Sequence, residues 1–314
     1  MSFVARACAS VLLACGPGQT TIAHGTMLVV RPEVAGPLRV IDLATGRTRW
    51  RLPPGVLAGH LVVHRDGPLL TWFDAATGAR TGDAVLQARG TFALVGASQD
   101  GRTAVLARTE QRSTTFALVS PAGERDVSRP GRWRFEALAG SRLTLIPGGR
   151  PPALGTPLAT VDSPSGRYRA TLYRRGLAEA VGALDTRTGR SRVVALGATG
   201  FTLVPDAEDR QVWAVSLAAG AVVLLDERSG AIVSRYRFPA VAGGSYTVAS
   251  LAPDGEHLAA GDGNRVVLLT PALRSARRIA VHVSIALGWS PDERTLWVLG
   301  ERGRVSPLRP RVTR

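Results

Sequence analysis

The chain has 314 residues, 45% of them hydrophobic and only 5% aromatic, and its 35 Gly and 20 Pro make 55 of 314. That composition excludes a disordered chain, which carries fewer apolar residues and more than about 25% Gly plus Pro; the length allows one large core or two ordinary ones. The 39 basic and 24 acidic residues give a net charge of +15; every basic residue is an arginine, scattered singly or in pairs such as Arg174-Arg175 and Arg277-Arg278.

Residues 1–15, MSFVARACASVLLAC, place Arg6 before an apolar run from Ala7 to Ala14 that ends on Cys15. A basic start, an apolar middle and a small residue before the cut form the plan of a signal peptide. Leu12-Leu13-Ala14-Cys15 also resembles a bacterial lipobox, which implies lipidation of Cys15 and a lipid-anchored, extracytoplasmic protein. A secreted protein with an ordinary cleaved signal and a cytoplasmic one are the alternatives. The run falls short of the roughly 18 apolar residues that span a bilayer, and no later stretch reaches that length. Only Cys8 and Cys15 are cysteines, so the body offers no thiol for a disulfide, a metal-thiolate site or a nucleophile. The expected layout is a signal or lipobox over 1–15, a linker over 16–19, a single domain over 20–308 and a basic tail over 309–314.

Two turns recur along the body. The first is Asp-x-x-(Thr/Ser)-Gly after an apolar run: Asp42 to Gly46, Asp74 to Gly78, Asp185 to Gly189 and Asp226 to Gly230. An aspartate accepts backbone N–H bonds and a glycine takes positive φ, so each is expected to be a structural hairpin turn. The second is a polar turn between short apolar runs: Asp100-Gly101 in ASQDGRTAVLA, DSPSGRYRATL from Asp162, VPDAEDRQVWAV, Asp254-Gly255 in LAPDGEHLAAG and Asp292 in WSPDERTLWVLG. In the last three, Asp209, Asp254 and Asp292 stand 45 and 38 residues apart. One four-stranded propeller blade takes about 40 to 45 residues. Runs of about five residues rich in Val, Leu, Ala and Thr suit strands, and no long amphipathic helix is expected.

Gly25 to Trp50, with VIDLATGRTRW, resembles the repeat of quinoprotein-type propellers, in which an apolar-Asp-x-x-Thr-Gly turn leads to a strand bearing a Trp. The later Ser-Pro-Asp and Ala-Pro-Asp-Gly units are similar to the WD40-like repeats of TolB-type propellers. Together these likenesses cover most of residues 20–308. They imply an all-β propeller of four-stranded blades and say almost nothing of activity. Seven blades are favoured by length and eight by block starts near residues 20, 56, 90, 131, 156, 200, 241 and 284. The block at 131–155 is expected to be truncated, and the last block to lack an outer strand. Pairing of the two chain ends is expected to close the ring. Quinoprotein dehydrogenases hold their quinone with calcium and a characteristic disulfide; without body cysteines, no cofactor is expected here.

His60 and His64 share one run, but as strand residues they would stand about 13 Å apart, too far to chelate one zinc, and no metal site is expected. There is no Gly-x-Ser-x-Gly, phosphate loop, dinucleotide fingerprint or EF-hand loop. A glycosidase or lactonase needs converging carboxylates. Outside the turns stand Glu33, Glu110, Glu136, Asp162 and Glu179, and Asp162, ending a presumed inner strand, is the candidate for a central channel. The six tryptophans, at 50, 72, 133, 213, 289 and 297, are expected to pack between blades. The resulting expectation is a monomeric, non-catalytic scaffold of the cell envelope that binds a protein, glycan or small ligand at one face. It touches the membrane only through an N-terminal lipid, and nucleic acid is disfavoured because no aromatic residue interleaves the basic tail. A lactonase-like or hydrolase-like enzyme with a channel site is the alternative.

Overall fold

In the computed structural model the described residues are 18–22, 26–31, 36–147, 156–163, 167–206, 208, 210–240, 247–255, 257–261, 265–269, 276–280, 284–300 and 304–309. Cys8, Cys15, His24, Glu33, Asp209, His282 and residues 310–314 lie outside them.

Short runs such as MLVVR and QVWAVS are too brief for a stable helix and carry the β-branched and aromatic residues that suit a pleated surface. Among the described residues they form eight antiparallel meanders. The first sheet holds β1–β4 at Gly18–Ile22, Met27–Arg31, Leu38–Asp42 and Thr48–Leu52. The second holds β5–β8 at Gly55–Ala58, Leu61–Asp66, Leu69–Asp74 and Arg80–Val85. The third holds β9–β12 at Ala93–Ala97, Ala104–Thr109, Ser113–Ser120 and Gly123–Pro130. The fourth has only β13 (Trp133–Ala139) and β14 (Arg142–Pro147). The fifth holds β15–β18 at Thr156–Asp162, Tyr168–Arg175, Ala178–Asp185 and Ser191–Ala195. The sixth holds β19–β22 at Thr202–Pro205, Gln211–Ser216, Ala221–Asp226 and Ile232–Arg237. The seventh holds β23–β26 at Val248–Leu251, Leu258–Gly261, Arg265–Leu269 and Ala276–Ala280. The last has three strands, β27–β29, at Ser284–Trp289, Leu296–Gly300 and Val305–Leu308.

The first strand of each sheet is its innermost; β5 lies against β9, β9 against β13, β15 against β19, β19 against β23, β23 against β27, and β27 against β1. This is a β-propeller. Seven blades of three or four strands make most of the ring, and the two-stranded sheet falls at the block expected to be truncated. Among the described residues the last blade has no outer strand, as its sequence implied. Closure differs from the expectation. Strand β1 pairs only with β2, and among the described residues no sheet draws strands from both chain ends. Instead Leu28, Ile41 and Leu43 pack on Ala286 and Leu299, and Trp297 Nε1 donates to Leu43 O at 2.6 Å. The missing strand belongs at the perimeter, so the seam closes without it.

The core is a set of apolar layers between successive sheets. Leu38, Val40 and Val62 fill the first seam; Val63, Trp72, Leu106 and Ala117 the second; Val105, Phe116 and Leu138 the third. Leu172, Leu203 and Val223 fill the seam between the fifth and sixth sheets, Val215, Leu224 and Leu258 the next, and Ala259, Leu287 and Trp289 the one after. Each fully buried Leu, Val or Phe stabilises the fold by about 1.5–3 kcal/mol. Because both faces of a middle blade are covered, strands such as β20 carry a continuous apolar run, Val212 to Val215, rather than alternating.

Candidate functional site

Both recurring turns lie on one face of the ring. The Asp-x-x-Thr/Ser-Gly turns join third to fourth strands, and the second family joins first to second strands. Amides of the first set bond to carbonyls beside the first-to-second-strand connections of the same sheets: Leu43 N to Thr26 O, Ala75 N to His60 O, Thr186 N to Arg167 O, and Glu227 N to Arg210 O. Asp42, Asp74, Asp185 and Asp226 each accept a bond at 2.7 or 2.8 Å from the amide of Gly46, Gly78, Gly189 or Gly230 through their backbone carbonyls. Their Oδ1 atoms accept further N–H groups, from Ala44, Thr77, Arg187 and Ser229 respectively. Burial works against ionisation of Asp42, but the Arg49 guanidinium and the Ala44 amide outweigh it and hold the carboxyl below its usual range. At Asp185 burial is likewise outweighed by the Thr188 and Arg187 amides.

In the second family, Ser98 and Ser290 donate at 2.5 Å to Asp100 and Asp292. Asp254 accepts the His257 amide at 3.2 Å and lies 2.7 Å from its Nδ1. Gly101 and Gly255 take φ of 73° and 71°, and Glu293 holds the matching place in the last blade at 60°. A non-glycine residue there costs on the order of 1–3 kcal/mol.

Glycine at 46 and 78 also admits a neighbour. Trp297 of the last blade lies over Gly46, and Trp50 of the first lies over Gly78, where a Cβ would meet the indole rings. Trp50 Nε1 donates to Ala75 O at 2.9 Å, and Trp72 Nε1 to Gly101 O at 2.9 Å. Trp289 Nε1 reaches Ser250 O at 3.2 Å, so four tryptophans bolt one blade to the next. Arginines do the same: Arg31 donates to Gly55 O, Arg65 to Phe92 O, Arg142 to Arg187 O, and Arg235 to Ala195 O. This second role for arginine was not legible from charge alone.

One seam departs from the pattern. Between the two-stranded sheet and the fifth sheet, polar side chains stand where the other seams have apolar clusters. Asp162 lies directly across from Arg169 in the β15–β16 register, and the pair is bidentate, with Nε to Oδ1 at 2.6 Å and Nη2 to Oδ2 at 2.9 Å. Arg169 is buried and also donates to Glu136 O across the seam. Thr160 and Thr171 exchange a hydroxyl bond at 3.2 Å. Tyr173 donates its hydroxyl to Glu136 Oε1 at 3.3 Å.

Glu136 sits at a β-bulge, since Phe135 pairs with Leu145 and Ala137 with Thr144. A bulge leaves one residue unpaired and re-aims it. Phe135 and Leu138 thereby pack toward the third sheet, while Glu136 meets the fifth. Burial pushes the Glu136 carboxyl up, against the downward pull of Arg169, the Tyr173 hydroxyl and Arg134. Burial and the Glu136 charge push the Tyr173 phenol up as well. Arg134 Nε is buried without a partner among the described residues.

Asp162, the sequence candidate, is therefore part of this seam as a cross-strand ion pair. Glu136 is the more available carboxyl, half-buried and bonded through one oxygen. The pattern that could have revealed the seam is the alternation in β16, YRATLYRR. There Arg169, Thr171 and Tyr173 share one face, and Ala170 and Leu172 the apolar other. Of the three remaining candidate acids, Glu33 lies outside the described residues and the other two are structural or peripheral. Glu179 is buried, bonded by Arg174 at 2.9 Å and by the Phe201 amide at 2.9 Å; Glu110 is exposed beside Arg108. His64 Nδ1 lies 2.7 Å from Pro54 O, and among the described residues no three His, Cys, Asp or Glu gather as a metal site. No described helix is long and apolar enough to cross a membrane.

The fold is similar to the β-propeller domain of Cps50 (Swd1) from Myceliophteria thermophila, with a TM-score of 0.58 and 16% identity over 95% of this chain and 98% of that one. It is equally similar to hydrazine synthase from Kuenenia stuttgartiensis, at TM-score 0.58 and 14% identity over 96% and 97% of the two chains. Likeness at this identity extends to the fold alone. No protein-family model matches the sequence, and no curated protein does.

Proposed function

We propose that the protein is a non-catalytic binding scaffold of the bacterial cell envelope, which takes a protein, glycan or small ligand at the polar seam beside the two-stranded sheet. The observation that carries this reading is the exchange, at one seam, of an apolar layer for Arg134, Glu136, Asp162, Arg169 and Tyr173. A half-satisfied polar cluster costs stability that an apolar layer would not, which points to use of those groups by something outside the fold. Arg142, donating to Arg187 O across the seam, and Arg235, donating to Ala195 O one blade on, help to hold such a surface rigid.

A photo-crosslinking residue at Thr144, in the half-buried β14, tests this in a native-like host, with the exposed Ser128 of β12 as control. One discrete adduct from Thr144 and none from Ser128 supports the reading; no adduct, or the same adducts from both, overturns it. The hydrolase-like alternative rests on the raised, half-buried Glu136 carboxyl. Turnover of a lactone or glycoside panel that Glu136→Gln abolishes would favour it. For the envelope placement, intact mass of the membrane fraction should give a diacylated species beginning at Cys15 that Cys15→Ala removes. An unprocessed chain starting at Met1 would overturn that placement.

A further inference from the structure

The outer strands of the fifth and sixth sheets differ from those of the first three. On β4, Arg49 is paired with Asp42; on β8, Arg80 with Asp83; on β12, Arg125 and Arg129 are interleaved with Glu124 and Asp126. Strands β18 (SRVVA) and β22 (IVSRYR) hold no acid, as β4 (TRWRL) does not, but none of their arginines makes an ion pair among the described residues. The two form one surface, because Arg235 of β22 donates to Ala195 O of β18 at 3.0 Å and Arg192 of β18 lies over Gly230 at the turn into β22. Arg187, Arg190, Arg192, Arg228 and Arg237 are exposed there and make no ion pair among the described residues. The acids next to them are committed: Asp185 and Asp226 to their own turns, and Glu227 to the interior.

Beside these arginines Ile232 and Val233 are exposed at 37% and 52%, and Val193, on the other face of β18 from Arg192, at 40%. We propose that this perimeter patch of the fifth and sixth blades docks on an anionic lipid surface. Guanidiniums pair bidentately with lipid phosphates, and each basic group near an anionic leaflet adds to the attraction. The aliphatic side chains enter the headgroup boundary and leave water. A soluble polyanion would neutralise the arginines and leave those three side chains wet, so lipid answers both halves of the patch. The docking is independent of the N-terminal cysteine and goes beyond the binding role at the polar seam.

The test is flotation of the full-length chain carrying Cys15→Ala with vesicles of phosphatidylcholine, alone or mixed with phosphatidylglycerol. Two triple variants are compared with it: Arg192→Gln/Arg228→Gln/Arg237→Gln, and Val193→Ser/Ile232→Ser/Val233→Ser. All substituted side chains are exposed, and an unchanged melting temperature checks the fold. Binding is expected only with phosphatidylglycerol, weakened about tenfold or more by either variant. Absence of binding, or equal binding to pure phosphatidylcholine, overturns the proposal. So does anionic-vesicle binding that the apolar variant leaves unchanged. Salt-sensitive binding to duplex DNA in place of vesicles would overturn it too, and assign the patch to nucleic acid.

Discussion

Strand β13 serves two seams, and its two faces could hardly differ more. Toward the third sheet it presents Phe135 and Leu138 to Val105, Phe116 and Leu118, in a layer of the kind found between the other blades. Gly96 is part of that fit, since a Cβ there would collide with the Phe135 ring. Toward the fifth sheet it presents Glu136 to Arg169 and Tyr173. The apolar seam gains from water release and needs only shape; the polar seam needs each partner in place, and the loss of one strands the rest. The same backbone thus carries a stable side and a conditional one, with the bulge at Glu136 as the device that separates them.

Mutations should expose the contrast. Phe116→Ala, at the centre of the apolar seam, is expected to cost about 3–5 kcal/mol in denaturant unfolding. A loss under about 1 kcal/mol would mean that the layer is not a packed core. Arg169→Met should cost less, about 2 kcal/mol, because it strands Asp162, whose carboxyl is partly exposed. The double variant Arg169→Met/Asp162→Leu should recover most of that loss, since no charge is then left behind. If the double variant is no more stable than the single one, the ion pair is not what the seam spends its stability on. Tyr173→Phe removes one long hydrogen bond and should cost about 0.5–1 kcal/mol.

The smallest effect is in pH. Glu136 takes its proton at higher pH in the folded state than the ordinary value of 4.5, so the folded state gains stability as pH falls through the folded value, and the gain is complete by 4.5. Asp42 and Asp185 act the other way: their contribution is full above 3.8 and is lost as pH falls through their lower folded values. A melting-temperature profile should therefore rise slightly on mild acidification and then drop. Glu136→Gln should abolish the rise and leave the drop.

Much of the fold can be read along the chain because its determinants are local. Asp and Gly at fixed spacing make turns, short Val- and Leu-rich runs make strands, and both repeat at blade length. The block at 131–155 read as truncated for the same reason, and two described strands form its sheet. Glu136 was visible only as one of several acids outside the turns. Asp162 was visible as the end of an inner strand, but its partner Arg169 lies across a register that only pairing defines.

What the sequence by itself determined is the all-β class, the turn chemistry, the order of the blades and the two incomplete sheets. Each follows from interactions within a few residues of one another. The tertiary structure decided how the ring closes, which arginines bolt blades rather than face water, and which one seam is polar. Those depend on which faces meet across 25 to 254 residues of chain, as in the Trp50 and Trp297 bonds, and no local pattern sets that meeting.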